Sequence, residues 1–480
     1  MNAIVAMPAT FPVTAHTDFV QAGSVFVAIE GYADNGVNYI KKAIEKGART
    51  IVVHHDTCLD EELSLLIKKQ GVFLMRVANT RLALAQLSAA HAGSPAKNLR
   101  IIGITGTKGK TTTSFLLEHI LRSAGHKTAL ISSAKNKILG HEFSSPLTTP
   151  QPDYLQQFLK VCADNEVEYV VMEVAAQALS LHRVEGIEFC GLIFTNFSHE
   201  HLEFYSTLDD YFAAKNLIFG MAQEGSPILV NGDDVRGKEI LMRQKNSKAY
   251  GFGSAISDAD YASTYISSPA QAIDLQVNHA DVQEQFVCQT LFGAYNGYNV
   301  LAACSMALEL RVSSGAIQQG LTSFTGVPGR LQQHVLPNGA RSFIDYAHNP
   351  ESFFALLSTL RLLTDNLIVI FGAGGGRDIH KRPVMGSIAV EIADTVIITT
   401  DNPRLEDPIA IADDITRGIA PQLQHKITRQ LDRQKAIEHA YALSSHGSII
   451  ALLGKGPDEY QIIGTTKYYF SEKQILQQLI

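Results

Sequence analysis

The stretch Ile101-Ile-Gly-Ile-Thr-Gly-Thr-Lys-Gly-Lys-Thr-Thr-Thr113 decides the fold. Its apolar start reads as a buried strand. Gly106-Thr-Lys-Gly109 follows as a loop in which glycine lets backbone N–H groups close around phosphate oxygens, and a helix opening at Thr111 aims its positive end at the same anion. Lys110 is placed to reach the β- and γ-phosphates and the Thr111 hydroxyl to ligate Mg²⁺, with Thr107, Lys108 and Thr112 completing the cradle. The usual Walker loop also has a glycine where Ile104 stands, so this loop is a shortened one. A plain glycine turn between strand and helix leaves the Gly-Lys-Thr triplet unexplained.

Outward from this loop, apolar runs at 101–105, 128–132, 169–174, 192–196 and 227–231 alternate with helical stretches. That is the pattern of a parallel sheet covered on both faces, and it marks a central domain, 96–327. Before it, 1–95 holds strands at 24–29 and 49–53 around a helix at 39–46, a small α/β domain closed by the small-residue linker 90–97. Beyond Gly326-Val-Pro-Gly-Arg330 a third domain, 328–480, repeats the alternation with strands at 342–345, 366–371, 395–400 and 448–453. The fold class is therefore α/β in three domains. Each strand of the last domain empties into a polar or glycine-rich loop: Asp345-Tyr-Ala-His-Asn-Pro350, Gly372-Ala-Gly-Gly-Gly-Arg-Asp378, Asp401-Asn-Pro-Arg404 and Gly454-Lys-Gly-Pro-Asp458. Ligands of open parallel sheets sit beyond the carboxyl ends of the strands, so these four loops predict one shared site.

With 480 residues, 46% hydrophobic and 18% charged, the chain can bury several cores. A net charge of -7 and the lack of a long Lys/Arg run predict no nucleic-acid partner and no anionic-membrane surface. No run approaches the roughly 20 apolar residues that span a bilayer. The N-terminus lacks a charged region followed by a long apolar stretch, so a cytoplasmic protein is expected. Cys58, Cys162, Cys190, Cys288 and Cys304 are odd in number and widely spaced, and read as reduced core residues.

Thr148-Thr-Pro150, Glu173-Val-Ala-Ala-Gln-Ala-Leu179, Phe194-Thr-Asn196, His201-Leu202, Ala214-Lys215, Tyr295-Asn-Gly-Tyr-Asn299, Pro328-Gly-Arg330, Asp345-Tyr-Ala-His348 and Gly454-Lys-Gly456 follow one another along the chain. With the shortened loop, this series resembles the Mur ligases and their folylpolyglutamate synthetase relatives, in order over nearly the whole chain. The resemblance implies an N-terminal UDP-substrate-binding domain, a central P-loop ATP-binding domain and a C-terminal Rossmann-like amino-acid-binding domain. It implies transfer of the γ-phosphoryl of ATP to a carboxylate, then attack of an amine on the acyl phosphate. Such a reaction rests on metal ions, cations and positioning. Lys110, Glu173, His201 and Lys215 are the implied catalytic set. Thr111 and Glu173 would hold one Mg²⁺, and His201 with a carbamate on Lys215 would serve a second. Arg330 is assigned to the phosphates, Asp345 to the ribose and Asn299 to the adenine.

The local sequence bears on Lys215. A helical pattern over 208–222, with Phe212, Leu217, Ile218 and Phe219 as core positions, partly desolvates the amine; its pKa falls, and a neutral amine is what CO₂ needs. Each assignment has a plainer alternative: a surface lysine at 215, a strand-end carboxylate paired with arginine at 173 and a loop histidine at 201. At 330, 345 and 299 these are a linker arginine, a turn aspartate and a helix-start asparagine.

Asp401-Asn-Pro-Arg404 resembles the motif with which the MurE branch of the family reads the distal carboxylate of meso-diaminopimelate. A guanidinium offers a bidentate fork to that carboxylate, and lysine as substrate lacks one. Arg377 offers a second cation. The alternatives are pairing of Arg404 with Glu406 or Asp407, and of Arg377 with Asp378. The implied activity is an ATP-dependent, ADP-forming carbon–nitrogen ligase adding meso-diaminopimelate to UDP-N-acetylmuramoyl-L-alanyl-D-glutamate in peptidoglycan precursor synthesis, as a monomer. Thr17, Thr148, Thr149, Gln177 and Arg183 would face the nucleotide-linked peptide. Arg377, Asp401, Asn402, Arg404, Gly454 and Asp458 would face the amino acid. Departures from the family pattern fall on these same positions. His16-Thr17-Asp18 stands for Asp-Ser-Arg near the uridine, Ala175-Ala-Gln177 for Ser-Ser-His, and Gly376 and His380 for Asp and Gly around Arg377. Pro457-Asp458-Glu459 follows Gly456 where the family has His-Glu. They leave open a related ligase adding L-lysine or another amino acid, and a nucleotide-binding paralogue without catalysis.

Overall fold

The computed structural model describes residues 5–31, 34–145, 147–200, 204–252, 260–265, 272–279 and 282–479. The chain divides into two units, Met1–Thr264 with Gln276–Gln285 and Tyr298–Leu321, and Tyr265–Leu275 with Phe286–Gly297 and Thr322–Ile480.

The first unit opens with four parallel strands in chain order, Val13–Thr14, Val25–Val27, Thr50–His54 and Phe73–Val77. Successive strand side chains point to opposite faces. Phe26, Ile51 and Val53 thus pack with the helices Ile40–Glu45 and Glu61–Lys69, while Val27 and Val52 pack with Thr80–His91. The stretch 90–97, read as a linker from its small residues, is locally structured. Alanine is a strong helix former, so Ala90 continues the helix to His91; Gly93 (φ 81°) breaks it and Pro95–Asn98 forms a short 3-10 turn. That helix packs on the helix Pro152–Asp164, whose buried Asp153 accepts the Thr14 hydroxyl at 2.8 Å and the Ala15 N–H at 3.3 Å.

Among the described residues the central sheet has eleven strands. Its parallel part runs Tyr261–Tyr265, Ser247–Gly251, Ile228–Asn231, Gly191–Phe194, Arg100–Thr105, Tyr169–Glu173 and Thr128–Ile131. Five of these are the runs read from the sequence. The four runs 128–131, 169–173, 191–194 and 228–231 are buried along their whole length, which is why they read as unbroken apolar segments. The antiparallel pair Asn136–Ile138 and His141–Phe143 extends one edge, and Ile273–His279 and Val282–Cys288 extend the other. The helix Leu208–Asn216 passes into a 3-10 turn, Leu217–Met221, and buries Phe212, Ile218 and Phe219. Leu217, expected in the core, is 54% exposed. At about 100° per residue it lies about 140° around the helix from Phe212, on the solvent side.

The sheet of the second unit runs Gln332–Val335, Arg341–Asp345, Ile449–Leu453, Leu367–Phe371, Thr395–Ile398 and Ile427–Arg429. All its pairings are parallel except the first. Phe343, Val369, Phe371, Val396 and Ala451 face one core and Ile344, Ile368, Ile370, Ile397 and Ile450 the other. The common direction brings four strand ends to one edge, where their loops meet. The Gly454 N–H donates to the Asp345 carbonyl at 3.1 Å and the Gly375 N–H to the Asn402 carbonyl at 2.9 Å. All five cysteines are free, and Cys162, Cys288 and Cys304 are buried. Among the described residues no helix is long and apolar enough to cross a membrane.

Candidate active site

The helix Lys110–Ser123 begins at the glycine loop. Gly106 (φ 143°) and Gly109 (φ 83°) hold backbone conformations that favour glycine. There is no room for a side chain at either. A Cβ at Gly106 would lie 2.0 Å from the Thr195 hydroxyl, and one at Gly109 2.3 Å from Asn299 Oδ1. The loop is pressed against residues that follow the strand Gly191–Phe194. The Thr107 N–H donates to the Asn196 carbonyl at 2.9 Å, and the Lys108 N–H to Asn196 Oδ1 at 2.8 Å. Thr195 Oγ1 and Asn196 Nδ2 donate to the Lys108 carbonyl at 2.6 and 3.1 Å. Lys110 folds over the loop and donates to the carbonyls of Gly106 (3.0 Å) and Thr107 (2.9 Å). Asn299 Oδ1 accepts from the Thr113 hydroxyl at 3.3 Å. Thr111 and Thr112 are buried in the first turn. A narrow glycine cradle at a helix N-terminus, with an ammonium over it, fits a polyphosphate.

Glu173 ends the neighbouring strand and is 1% exposed. It is not paired with an arginine. Ser133 donates to it through its N–H (2.8 Å) and its hydroxyl (3.1 and 3.2 Å), and that hydroxyl stands 2.9 Å from the Thr111 hydroxyl. A carboxylate and two hydroxyls in line at the first turn of the loop helix are the hard oxygen donors that suit Mg²⁺. Ser133 was not singled out in the sequence, although it lies just past the strand Thr128–Ile131, at the same sheet edge as Glu173. Thr149 braces the same strand end: its hydroxyl donates to the Glu173 carbonyl at 2.9 Å and accepts the Ala175 N–H at 3.0 Å. Arg183 donates to the Thr149 carbonyl at 3.1 Å, and burial pulls its pKa down. Thr148 and Gln177 are half-buried on the same stretch.

Lys215 is no surface lysine. It is 1% exposed, lies 4.4 Å over the Tyr211 ring and donates to the Gly106 carbonyl at 2.7 Å. Burial holds its pKa well below the ordinary lysine value; Lys110 adds to that, and Glu200 opposes it. Glu200 is ion-paired with Lys108 at 2.8 Å. His201, the next residue, lies outside the described residues. Thr17 is buried in the turn Thr17–Phe19, where Lys46 donates to its carbonyl at 2.9 Å.

In the second unit Asp345 accepts the N–H groups of Leu331 (2.7 Å) and Ala347 (2.8 Å), and burial raises its pKa against the pull of Arg330. Arg330 stacks 4.5 Å over Tyr346. A Cβ at Gly329 would lie 2.1 Å from the Gly456 carbonyl carbon, so those two motifs touch backbone to backbone. Asp401 and Asn402 are buried against Lys455. Arg404 does not pair with Glu406, which goes to the buried Arg382 at 2.8 Å; the Arg404 guanidinium donates to the Gly375 carbonyl at 2.7 Å. Arg377 is exposed, Gly454 has φ 103°, and Asp458 is half-buried, its pKa raised by burial. The sequence reading placed Lys455 inside the Gly454-Lys-Gly456 motif without giving it a role, and gave none to Arg382; their buried contacts come only from the tertiary structure.

Three family models match: Mur ligase family, catalytic domain, at residues 13–92; Mur ligase middle domain at 104–307; and Mur ligase, glutamate ligase domain, at 329–456. A UDP-N-acetylmuramoyl-L-alanyl-D-glutamate--2,6-diaminopimelate ligase of Clostridium botulinum is 35% identical, over 96% of this chain and 93% of its own length. The chain belongs to the Mur ligase family. Mur ligases are ATP-dependent, ADP-forming ligases that use Mg²⁺, and the cradle, Glu173 and Lys215 belong to the middle domain of one. A Bacillus velezensis Mur ligase of the same name as the clostridial one is 36% identical, over 95% of this chain and 91% of its own. A solved structure of a protein so named superposes with a TM-score of 0.66 over 98% of this chain and 94% of that one; at 24% identity it speaks for the Mur ligase fold alone.

Proposed function

We propose that this Mur ligase adds meso-diaminopimelate to UDP-N-acetylmuramoyl-L-alanyl-D-glutamate, converting ATP to ADP, in the cytoplasm and as a monomer. The names of its relatives favour this substrate pair, and Arg404 carries it. The residue holds a positive φ of 54°, its N–H donates to the Ile462 carbonyl at 3.1 Å, and its carbonyl accepts the Gly464 N–H at 2.8 Å. A non-glycine residue at positive φ costs about 1–2 kcal/mol, which the two backbone bonds offset. With Glu406 taken by Arg382, the guanidinium is kept for the diamino acid's distal carboxylate.

In this reading the loop 106–112 holds the triphosphate, and Lys110 exchanges the carbonyls of Gly106 and Thr107 for phosphate oxygens. Thr111 and Glu173 would hold one Mg²⁺, and His201 with a carbamate on Lys215 would serve a second. Bound magnesium supplies charge neutralisation at the transferring phosphoryl group. Burial pulls the Lys215 pKa down, which favours the neutral amine that CO₂ needs. Asn299, Arg330 and Asp345 receive the nucleotide. Thr17, Thr148, Thr149, Gln177 and Arg183 receive the UDP-linked peptide, and Arg377, Asp401, Asn402, Arg404, Gly454 and Asp458 the amino acid. The working domains are 1–95, 96–327 and 328–480.

ADP release with UDP-muramyl-dipeptide and each diamino acid in turn tests the substrate. Strong preference for meso-diaminopimelate is expected, and Arg404→Ala should raise its KM about tenfold or more while leaving the KM for ATP unchanged. Equal turnover of lysine by the parent enzyme would overturn the assignment.

A further inference from the structure

Lys455 is wholly buried, and the roles assigned above give it no part. Its ammonium lies 3.3 Å from Asp401 Oδ1 and 3.4 Å from Asn402 Oδ1, with the rings of Tyr460 and Phe470 at 5.9 and 5.7 Å. A desolvated ammonium is unfavourable unless it is paired and hydrogen-bonded, so these contacts hold the two loops to each other firmly. Asn402 Oδ1 also accepts the Ile462 N–H at 3.0 Å, and the Gln461 amide donates to the carbonyls of Thr400 (3.3 Å) and Asp401 (3.1 Å).

A second buried cation works from behind. Arg433 donates to the carbonyls of Leu453 (2.9 Å) and Thr400 (3.5 Å), and Glu472 balances its charge at 2.8 Å. The ends of the strands that flank Leu367–Phe371 are thus fastened twice, backbone by Arg433 and side chains by Lys455. Gly454 is required for the close approach: a Cβ there would lie 3.2 Å from Asp401 Oδ2, at a φ of 103°. The turn Asp401-Asn-Pro-Arg404 hangs from Lys455 at its start and from Ile462 and Gly464 at its end.

We propose that Lys455 is a positioning residue for amino-acid selection: by gripping Asp401 and Asn402 it fixes where the Arg404 guanidinium stands. The proposal rests on Arg404 reading a second carboxylate. Lys455 is wholly buried against Asp401 and Asn402, and it acts through the turn.

A double-mutant cycle on the full chain, read by ADP release, separates the two claims. Lys455→Met should raise the KM for meso-diaminopimelate about tenfold and narrow the preference over lysine by a similar factor, with kcat and the KM for ATP within about twofold. In the Arg404→Ala background the same change should add less than about twofold, because the element it positions is gone. If Arg404→Ala alone leaves the KM unchanged, the reading of Arg404 fails. If Arg404→Ala acts but Lys455→Met leaves the preference intact, or acts equally in both backgrounds, the positioning role fails. Should Lys455→Met not fold, Gln461→Ala loosens the same turn from its half-buried rim and should raise only the amino-acid KM, about threefold; an unchanged KM there overturns the proposal.

Discussion

Ser133 joins the two donors that would hold a magnesium ion. It gives its N–H and hydroxyl to Glu173 and stands 2.9 Å from the Thr111 hydroxyl, so the orientation of both depends on a side chain that need not touch the metal. Outer partners of this kind typically account for about 10–100-fold in affinity or activity. Ser133→Ala is therefore expected to lower kcat about tenfold and to raise the Mg²⁺ concentration needed for half-maximal ADP release, and, because it removes a hydrogen bond to a buried carboxylate, to lower stability by about 1–3 kcal/mol. A magnesium titration of the two proteins decides it: superimposable curves would leave Ser133 with a packing role only. The contrast with Lys215 is instructive. Its burial could be argued from the apolar neighbours in its own helix, whereas Ser133 earns its place through residues distant in the chain.

At the level of elements, the loop-to-helix junction depends on glycine for two separable reasons, conformation and space. Gly109 and Gly125 both have positive φ, 83° and 94°, but a Cβ at Gly109 meets Asn299 at 2.3 Å, while one at Gly125 meets nothing within 4 Å. Gly125→Ala should cost about 1 kcal/mol of stability and leave nucleotide affinity alone. Gly109→Ala should in addition push the first helical turn off Asn299 and weaken ATP binding about ten- to a hundredfold by titration calorimetry. Equal affinities for the two variants would remove the steric half of the argument. The same distinction explains what could be read in advance. Strands such as Tyr169–Glu173 and Ile449–Leu453 are buried on both faces, so their apolar runs and the polar loops after them were visible in the sequence. The strand Thr466–Tyr469 is exposed throughout, and Ile273–His279 alternates buried with half-buried residues; neither carries an unbroken apolar run, and both went unseen. Leu217 reads as core from its apolar character, but its position around the helix turns it to solvent. Glycine and P-loop positions were legible because local chemistry fixes them, but Lys455 and Arg382 owe their importance to partners that only the folded chain supplies.

On the scale of the whole molecule, each unit carries its own buried clusters: the N-terminal and central sheets in the first, both faces of the six-stranded sheet in the second. Asp153 is a point of leverage for the first, since its carboxylate accepts both the Thr14 hydroxyl and the Ala15 N–H while it is itself buried. Asp153→Ala leaves the Ala15 N–H without its acceptor and the Thr14 hydroxyl with only the His16 carbonyl at 3.4 Å, a penalty of about 1–3 kcal/mol that translates into a fall of about 2–5 °C in the melting of a unit this size. A non-hydrolysable ATP analogue at about a hundred times its Kd should return up to about 2.7 kcal/mol, most of it to the first unit, which holds the glycine loop. Glu472→Gln provides the mirror experiment, because it strips the buried Arg433 of its counter-charge within the second unit. Scanning calorimetry is then expected to resolve two transitions, one lowered by Asp153→Ala and restored by the nucleotide analogue, the other lowered by Glu472→Gln. A single transition that both substitutions shift by the same amount would mean that the two units melt as one, and the energetic division drawn from their separate cores would have to be abandoned.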